Sequence, residues 1–188
     1  MSTFRFAIMG AGNIAHQFCD AVTLVEDCEV SAIASKDLGR AQKFAEECSV
    51  AHAYDNYEQM LIEEKPDCVY IAVTPNDHFR LTMLCLEHRV PVLCEKAMFT
   101  NSAEAKAVFE KAEKDQTFVM EAMWSRFLPA VNQAKKWATE GKIGRLEALQ
   151  GRIGFLAPEG ADNRYHSPLL CGGAATDITV YALSLIHI

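Results

Sequence analysis

The sequence predicts an α/β fold built on a doubly wound parallel sheet, and three observations carry that expectation. Short β-rich runs alternate with longer segments of helical period over the first two thirds of the chain, the pattern of parallel strands joined by crossover helices. The first run leads directly into a glycine-rich turn, where such a sheet places its first strand-to-helix connection. Six runs and five helical segments then fit into about 120 residues, which is one complete doubly wound unit.

Strands are expected at Phe4–Met9, Glu29–Ser35, His52–Tyr54, Val69–Val73, Pro91–Cys94 and Phe118–Met123. Between them, Ile14, Phe18 and Val22 share one helical face, and Leu38, Ala41, Phe44, Ala45 and Cys48 share a second. Tyr57, Met60 and Leu61 mark a third helix, and Leu81, Leu84 and Cys85 a fourth. Asn101, followed three residues later by Glu104, reads as a capping box opening a fifth, with Ala105, Val108, Phe109 and Ala112 on its apolar face.

After Met123 the pattern changes. A helix is predicted from Pro129 through Val131, Ala134 and Trp137 to a stop at Gly141. Leu146, Ala148, Gln150 and Arg152 alternate as part of a strand would, a polar loop follows from about Pro158 to Pro168, and a last helix starts after Gly172-Gly173. One strand and two helices cannot close a core, because a lone strand has two unpaired edges. The expected division is therefore a complete first domain over residues 1–122 and the incomplete start of an α+β second domain over 123–188.

The chain has 188 residues, 50% apolar and 23% charged, with a formal charge of −7 concentrated before residue 122. This composition excludes low-complexity disorder, collagen, coiled coil and disulfide miniprotein. No basic footprint for nucleic acid is present. The longest apolar runs, such as Cys68 to Val73, fall far short of the ~20 residues of a membrane-spanning helix, so a cytoplasmic protein without a membrane partner is expected. Cys19, Cys28, Cys48, Cys68, Cys85, Cys94 and Cys171 form no Cys-x-x-Cys pair, which argues for reduced, buried thiols and for no metal site.

The chemistry is concentrated in a few motifs. Gly10-Ala11-Gly12-Asn13-Ile14-Ala15 follows the first strand and opens the first helix, as the dinucleotide-binding pattern G-x-G-x-x-G/A requires. Gly10 permits the tight turn, Gly12 lets a pyrophosphate approach the backbone, Asn13 and Ile14 open the helix end that receives it, and Ala15 allows close packing. A Rossmann-type domain follows from this context. At the end of the second strand, where an acidic residue would bind the ribose of NAD, the chain reads Ser35-Lys36. A hydroxyl and a cation suit a 2′-phosphate, so NADP(H) is favoured over NAD(H). Asp37 follows at once, and a one-residue shift of the strand end would put a carboxylate there instead.

Thr74-Pro75-Asn76-Asp77-His78 comes after the fourth strand and Glu95-Lys96 after the fifth, both on the carboxyl edge where open α/β sheets bind ligands. Thr74, Pro75, Asn76 and His78 are cofactor-binding candidates, although His78 reads equally well as a capping or surface group.

These spacings resemble the glucose-fructose oxidoreductase, inositol dehydrogenase and rhizopine-catabolism (Gfo/Idh/MocA) family, whose fingerprint is a catalytic Glu-Lys-Pro at the position of Glu95-Lys96. Met120-Glu121-Ala122-Met123-Trp124-Ser125-Arg126-Phe127 looks like the trans-dihydrodiol dehydrogenase branch, which includes NADP-dependent pentose dehydrogenases. The resemblance implies that Lys96 binds the reacting hydroxyl and the nicotinamide ribose, and that Glu95 helps seat the nicotinamide. Ala97 stands where the family has proline, so any proline-dependent backbone shape must be supported otherwise. A second family signature, a glycine-rich turn leading a helix with an Asp and, four residues on, a His or Tyr, is matched by Gly172-Gly173 with Asp177 and Tyr181. Spacing of four puts both on one face of a continuous helix. Trp124 and Arg126 become candidates beside the cofactor and Trp124 and Phe127 beside the substrate, while periodicity alone suits core residues at a domain junction equally well.

The function expected is NADP-linked oxidation of a secondary hydroxyl in a sugar or cyclic trans-diol, or the reverse reduction. Tyr181 would take the hydroxyl proton, Lys96 would hold the oxygen, Asp177 would position the substrate, and the full-length protein would be a homo-oligomer. Competing readings are a non-catalytic dinucleotide-binding regulator on the same fold, an inactive fragment, and an S-adenosylmethionine methyltransferase, which would want an acidic residue where Ser35-Lys36 stands. Leu183-Ser184-Leu185-Ile186-His187-Ile188 resembles one reading frame of a transposon end used to tag DNA for sequencing. It is accordingly expected to be non-native sequence ending a truncated record, the other reading being an apolar helix that simply continues.

Overall fold

In the computed structural model, which describes residues 3–160 and 163–187, six strands form one parallel sheet. They are β1 (Phe4–Met9), β2 (Cys28–Ala34), β3 (His52–Tyr54), β4 (Cys68–Ile71), β5 (Val92–Cys94) and β6 (Val119–Glu121), in the spatial order β3-β2-β1-β4-β5-β6. Reversal of strand order beside β1 makes the gap between β1 and β4 the topological switch point of a Rossmann sheet. Ala7, Ile8 and Met9 of β1, Ala32 to Ala34 of β2 and Val69 to Ile71 of β4 are buried, the continuous apolar reading of strands covered on both faces.

Five helices connect these strands: α1 (Asn13–Val22), α2 (Leu38–Cys48), α3 (Tyr57–Glu64), α4 (Pro75–Glu87) and α5 (Ser102–Asp115). The buried face of α1 is Ala15, Cys19 and Val22, one residue round from the face read in the sequence, and Ile14 is exposed. Ala15 causes the rotation, since the smallest side chain takes the closest approach to the sheet. On α5 the buried residues are Val108 and Ala112, whereas Phe109 is half exposed. Asn101 caps α5 by accepting from the Glu104 amide at 3.0 Å, and Glu104 reaches back to the Thr100 amide and hydroxyl at 3.0 and 2.9 Å. The capping box thus closes one residue earlier than its usual register.

The chain divides into two compact units, Met1–Glu121 and Ala122–Ile188. In the second, a 3-10 turn at Trp124–Phe127 precedes α6 (Pro129–Thr139), which ends before Gly141 at φ +69°. Two expectations fail here. No strand forms over Leu146–Arg152, because extended backbone makes a strand only beside a partner and none of the described residues supplies one. The last helix is not continuous either: α7 (Ala174–Asp177) and α8 (Thr179–His187) are separated at Ile178, with a 45° bend. Leu183 to His187 lie within α8, and Ile188 is outside the described residues. Among the described residues no single helix is long and apolar enough to cross a membrane.

The sheet depends on Gly10, whose φ of +109° and lack of a side chain let the chain pass the Ala72 carbonyl; a Cβ there would meet that oxygen at 2.7 Å. Gly10→Ala is expected to cost about 2–4 kcal/mol, combining an unfavourable backbone region with a backbone clash. Urea denaturation checks this, and a loss below about 1 kcal/mol would contradict the close approach.

Candidate active site

The cofactor and catalytic candidates of the first unit stand at the carboxyl edge of the sheet. The Gly10 amide donates to the Ala34 carbonyl at 2.8 Å, joining the ends of β1 and β2. Gly12 then starts α1, its carbonyl accepting from Ala15 N at 3.0 Å. A Cβ on Gly12 would meet only Ala72 O, at 4.0 Å, so the space in front of the helix is open. No side chain caps this helix and no acid occupies its first turn, and Asn13 and Ile14 are exposed beside it. Unpaired first-turn N–H groups, a positive helix end and a glycine cradle fit the pyrophosphate of a dinucleotide.

Ser35 is buried, and its amide donates to the Tyr54 carbonyl at 3.0 Å. The Lys36 side chain is 66% exposed, with Nζ 2.5 Å from Asp77 Oδ2. Asp37 is occupied locally: its Oδ1 accepts from the Arg40 amide at 2.9 Å as the N-cap of α2. Sequence reading missed Arg40, whose guanidinium bends back to donate to the Ala11 carbonyl of the glycine turn at 3.3 Å. The signal was a cation one helical turn past Lys36, which periodicity alone assigns to a solvated face.

Thr74 is the N-cap residue of α4, with Pro75 and Asn76 in the first turn. His78, expected to meet the cofactor, is wholly buried, with Nδ1 3.0 Å from Ala97 O and Nε2 3.0 Å from Val73 O. Both ring nitrogens face main-chain carbonyls, and burial holds the imidazole pKa below its usual value. The ring braces the β4–α4 turn against the loop after β5, so it is not a surface group. The Lys96–Ala97 peptide in that loop is cis.

Glu95 is buried at the end of β5, accepting from the Tyr70 hydroxyl at 2.6 Å and from the Lys96 amide at 3.2 Å. Burial raises its pKa, against the pull of the Tyr70 bond and of Lys96. Lys96 is half-buried beside it. Tyr70 falls within the expected strand Val69–Val73; its hydroxyl reaches Glu95 through the parallel pairing of β4 with β5, which the sequence does not display. Glu121 accepts from the Met98 amide at 2.9 Å and anchors the far end of the loop.

In the second unit Trp124 and Tyr181 come together: the indole Nε1 donates to the Tyr181 oxygen at 2.9 Å, and the rings meet edge to face at 5.8 Å. Asp177 lies 3.7 Å from the Arg164 guanidinium. The break at Ile178 separates Asp177 from Tyr181, so the shared helical face expected from their spacing is not formed. Arg126 and Phe127 are exposed on the 3-10 turn that carries Trp124. Among the described residues no group of three or more His, Cys, Asp and Glu could hold a metal ion.

A family model described as "Oxidoreductase family, NAD-binding Rossmann fold" (GFO_IDH_MocA) matches residues 4–123. Trans-1,2-dihydrobenzene-1,2-diol dehydrogenase of Mus musculus is 33% identical over 97% of this chain and 55% of its own length. The chain spans about half the length of the curated relatives it matches. An NAD-binding protein from Listeria innocua shares the fold with a TM-score of 0.87 at 23% identity, over 98% of this chain and 54% of its own. A 3-ketoreductase from Actinomadura kijaniata, solved with NADP, matches with a TM-score of 0.70 at 26% identity, over 76% of this chain and 46% of its own.

The Glu95 environment sets a pH dependence. With its pKa higher in the folded than in the unfolded state, the folded chain keeps a proton that the unfolded chain has released. Stability should fall as pH rises from the ordinary glutamate value of about 4.3 through the folded one. Glu95→Gln should remove that slope in urea denaturation at a series of pH values; an unchanged slope would place its origin elsewhere.

Proposed function

The chain belongs to the Gfo/Idh/MocA oxidoreductase family with its NAD-binding Rossmann fold, and on that premise we propose that it is an NADP-linked dehydrogenase acting on a secondary hydroxyl of a sugar or cyclic trans-diol. The observation that carries the cofactor preference is the exposed Lys36 just past β2, with Arg40 reaching back from α2 to the glycine turn and the Asp37 carboxylate turned to capping α2. Two cations and a hydroxyl at the end of β2 suit a 2′-phosphate. The NADP-bound ketoreductase supports this reading, and the mouse diol dehydrogenase supports the substrate class.

A bound nicotinamide would supply the hydride acceptor or donor for the substrate carbon. The chain's own residues do the remaining work. Gly10, Gly12 and the first turn of α1, with Asn13 and Ile14, seat the pyrophosphate, while Thr74, Pro75 and Asn76 wall the cleft beside it. Glu95, held by Tyr70, shapes the nicotinamide end. The Lys96 ammonium stabilises the hydroxyl oxygen as it loses its proton, and Tyr181 receives that proton. The Trp124 indole N–H fixes where the tyrosine oxygen stands. Asp177 orients the substrate hydroxyls, and Trp124, Arg126 and Phe127 line the approach.

Titration of nicotinamide fluorescence should show NADPH bound more tightly than NADH, and Lys36→Asp should weaken NADPH by about 1–3 kcal/mol. Equal affinity for the two cofactors would overturn the preference.

In the full-length enzyme, Tyr181→Phe and Lys96→Met should each lower kcat at least about 100-fold on a sugar or cyclic diol while NADPH still binds. Near-normal turnover of Tyr181→Phe would remove the tyrosine from proton transfer. Cofactor binding by the full-length protein with no turnover of any such substrate would instead favour a regulator, whereas turnover by the full-length protein alone would make the 188-residue chain an inactive fragment.

A further inference from the structure

The Lys36–Asp77 pair spans two strand ends that flank the dinucleotide cradle. Lys36 leaves β2, and Asp77 belongs to the first turn of α4 after β4. Asp77 is bound on both oxygens, Oδ2 to Lys36 Nζ at 2.5 Å and Oδ1 to Arg80 Nε at 3.4 Å. Its side chain is 17% exposed, against 66% for Lys36. The carboxylate is therefore the enclosed member of the pair and the ammonium the solvent-exposed one. Against the upward pull of burial, Lys36 and Arg80 hold the Asp77 carboxyl below its ordinary range, so it is an anion at neutral pH. Arg80, lying over the Tyr57 ring at 5.9 Å, is a second cationic partner of that carboxylate.

We propose that Asp77 determines cofactor specificity as an internal anion with which a 2′-phosphate must compete for Lys36. An ammonium that receives a phosphate cannot keep a carboxylate at contact distance without bringing two anions together. NAD, which carries a ribose hydroxyl at that place, leaves the Lys36–Asp77 pair intact. Asp77 thus narrows the gap between the two cofactors by weakening NADP alone. As a helix-start acid it would be read simply as a partner of the α4 dipole. Its reach across the cleft to Lys36 is what gives it a second consequence. The inference rests on Lys36 being the 2′-phosphate ligand of the proposed function.

The test uses the 188-residue chain, with NADPH and NADH followed by nicotinamide fluorescence and 2′,5′-ADP and 5′-AMP by calorimetry. Asp77→Asn should tighten NADPH and 2′,5′-ADP about fivefold, the scale of one exposed ion pair. NADH and 5′-AMP should change less than about twofold, since no phosphate competes there. In a Lys36→Met background the gain from Asp77→Asn should disappear. Asp77→Ser, which keeps a helix-start side chain, should repeat the Asn result, and a melting curve of each variant confirms that it is folded. An unchanged NADPH-to-NADH affinity ratio in Asp77→Asn overturns the proposal, as does a weakened NADPH, which would make Asp77 a positioning residue for Lys36. Should Lys36→Met leave 2′,5′-ADP affinity unchanged, the reading of Lys36 itself fails and the proposal with it, an outcome distinct from the first two.

Discussion

The first unit depends on one close approach, the backbone of Gly10 against the carbonyl of Ala72. β1 lies between β2 and β4, and the chain must leave it through the gap where strand order reverses. At that gap the Gly10 amide bonds to Ala34 O at 2.8 Å, and the Ala72 amide bonds to Met9 O at 2.8 Å. Three strand ends are tied within one turn, leaving no room for a side chain. The direction of α1, the opening before its N-terminus and the place of Ser35 and Lys36 beside it all follow from this arrangement.

A second set of contacts ties that turn to the Glu95–Lys96 loop. Phe18 of α1 stacks on Tyr70 of β4 at a centroid distance of 4.0 Å, and the Tyr70 hydroxyl bonds to Glu95. Aromatic packing from the cofactor-binding helix thereby holds the hydroxyl that holds the acid. His78 braces the same loop at Ala97, and Glu121 braces it at Met98. Tyr70, Glu95 and His78 are buried and hydrogen-bonded, the condition under which a buried polar network orients its neighbours. Lys96 sits inside that frame, so its position is set by residues of β4, α4 and β6.

Charge around the nucleotide cradle is partitioned by local geometry. Two carboxylates lie near Lys36, and they differ in what occupies them. Asp37 spends an oxygen on the first turn of α2, a cap contact typically worth about 1 kcal/mol, whereas Asp77 reaches across to the lysine. A sequence shows both as acids near a basic residue. The distinction arises because the backbone turns immediately after β2, aiming Asp37 along its own helix, while α4 begins directly opposite.

How much was legible in advance follows from the range of the interactions concerned. The alternation of strands and helices along the chain, the glycine turn, the Asn101 cap and the helix start at Pro129 rest on neighbours a few residues apart, and each is readable from periodicity and turn chemistry. The rotation of α1 about its axis depends on Ala15 meeting a sheet formed by distant strands, so a heptad-scale pattern misplaces its face by one residue. The strand expected at Leu146–Arg152 shows the same limit, since alternation marks a segment able to pair and pairing needs a partner elsewhere. The sequence by itself determined the α/β class, the dinucleotide cradle and the residue types at the sheet's carboxyl edge. Only tertiary structure decided that His78 braces a loop, that Tyr70 holds Glu95, that Trp124 meets Tyr181 and that Lys36 pairs with Asp77. Those contacts join residues between 19 and 57 positions apart, and their hydrogen-bond geometry exists only once the elements are packed.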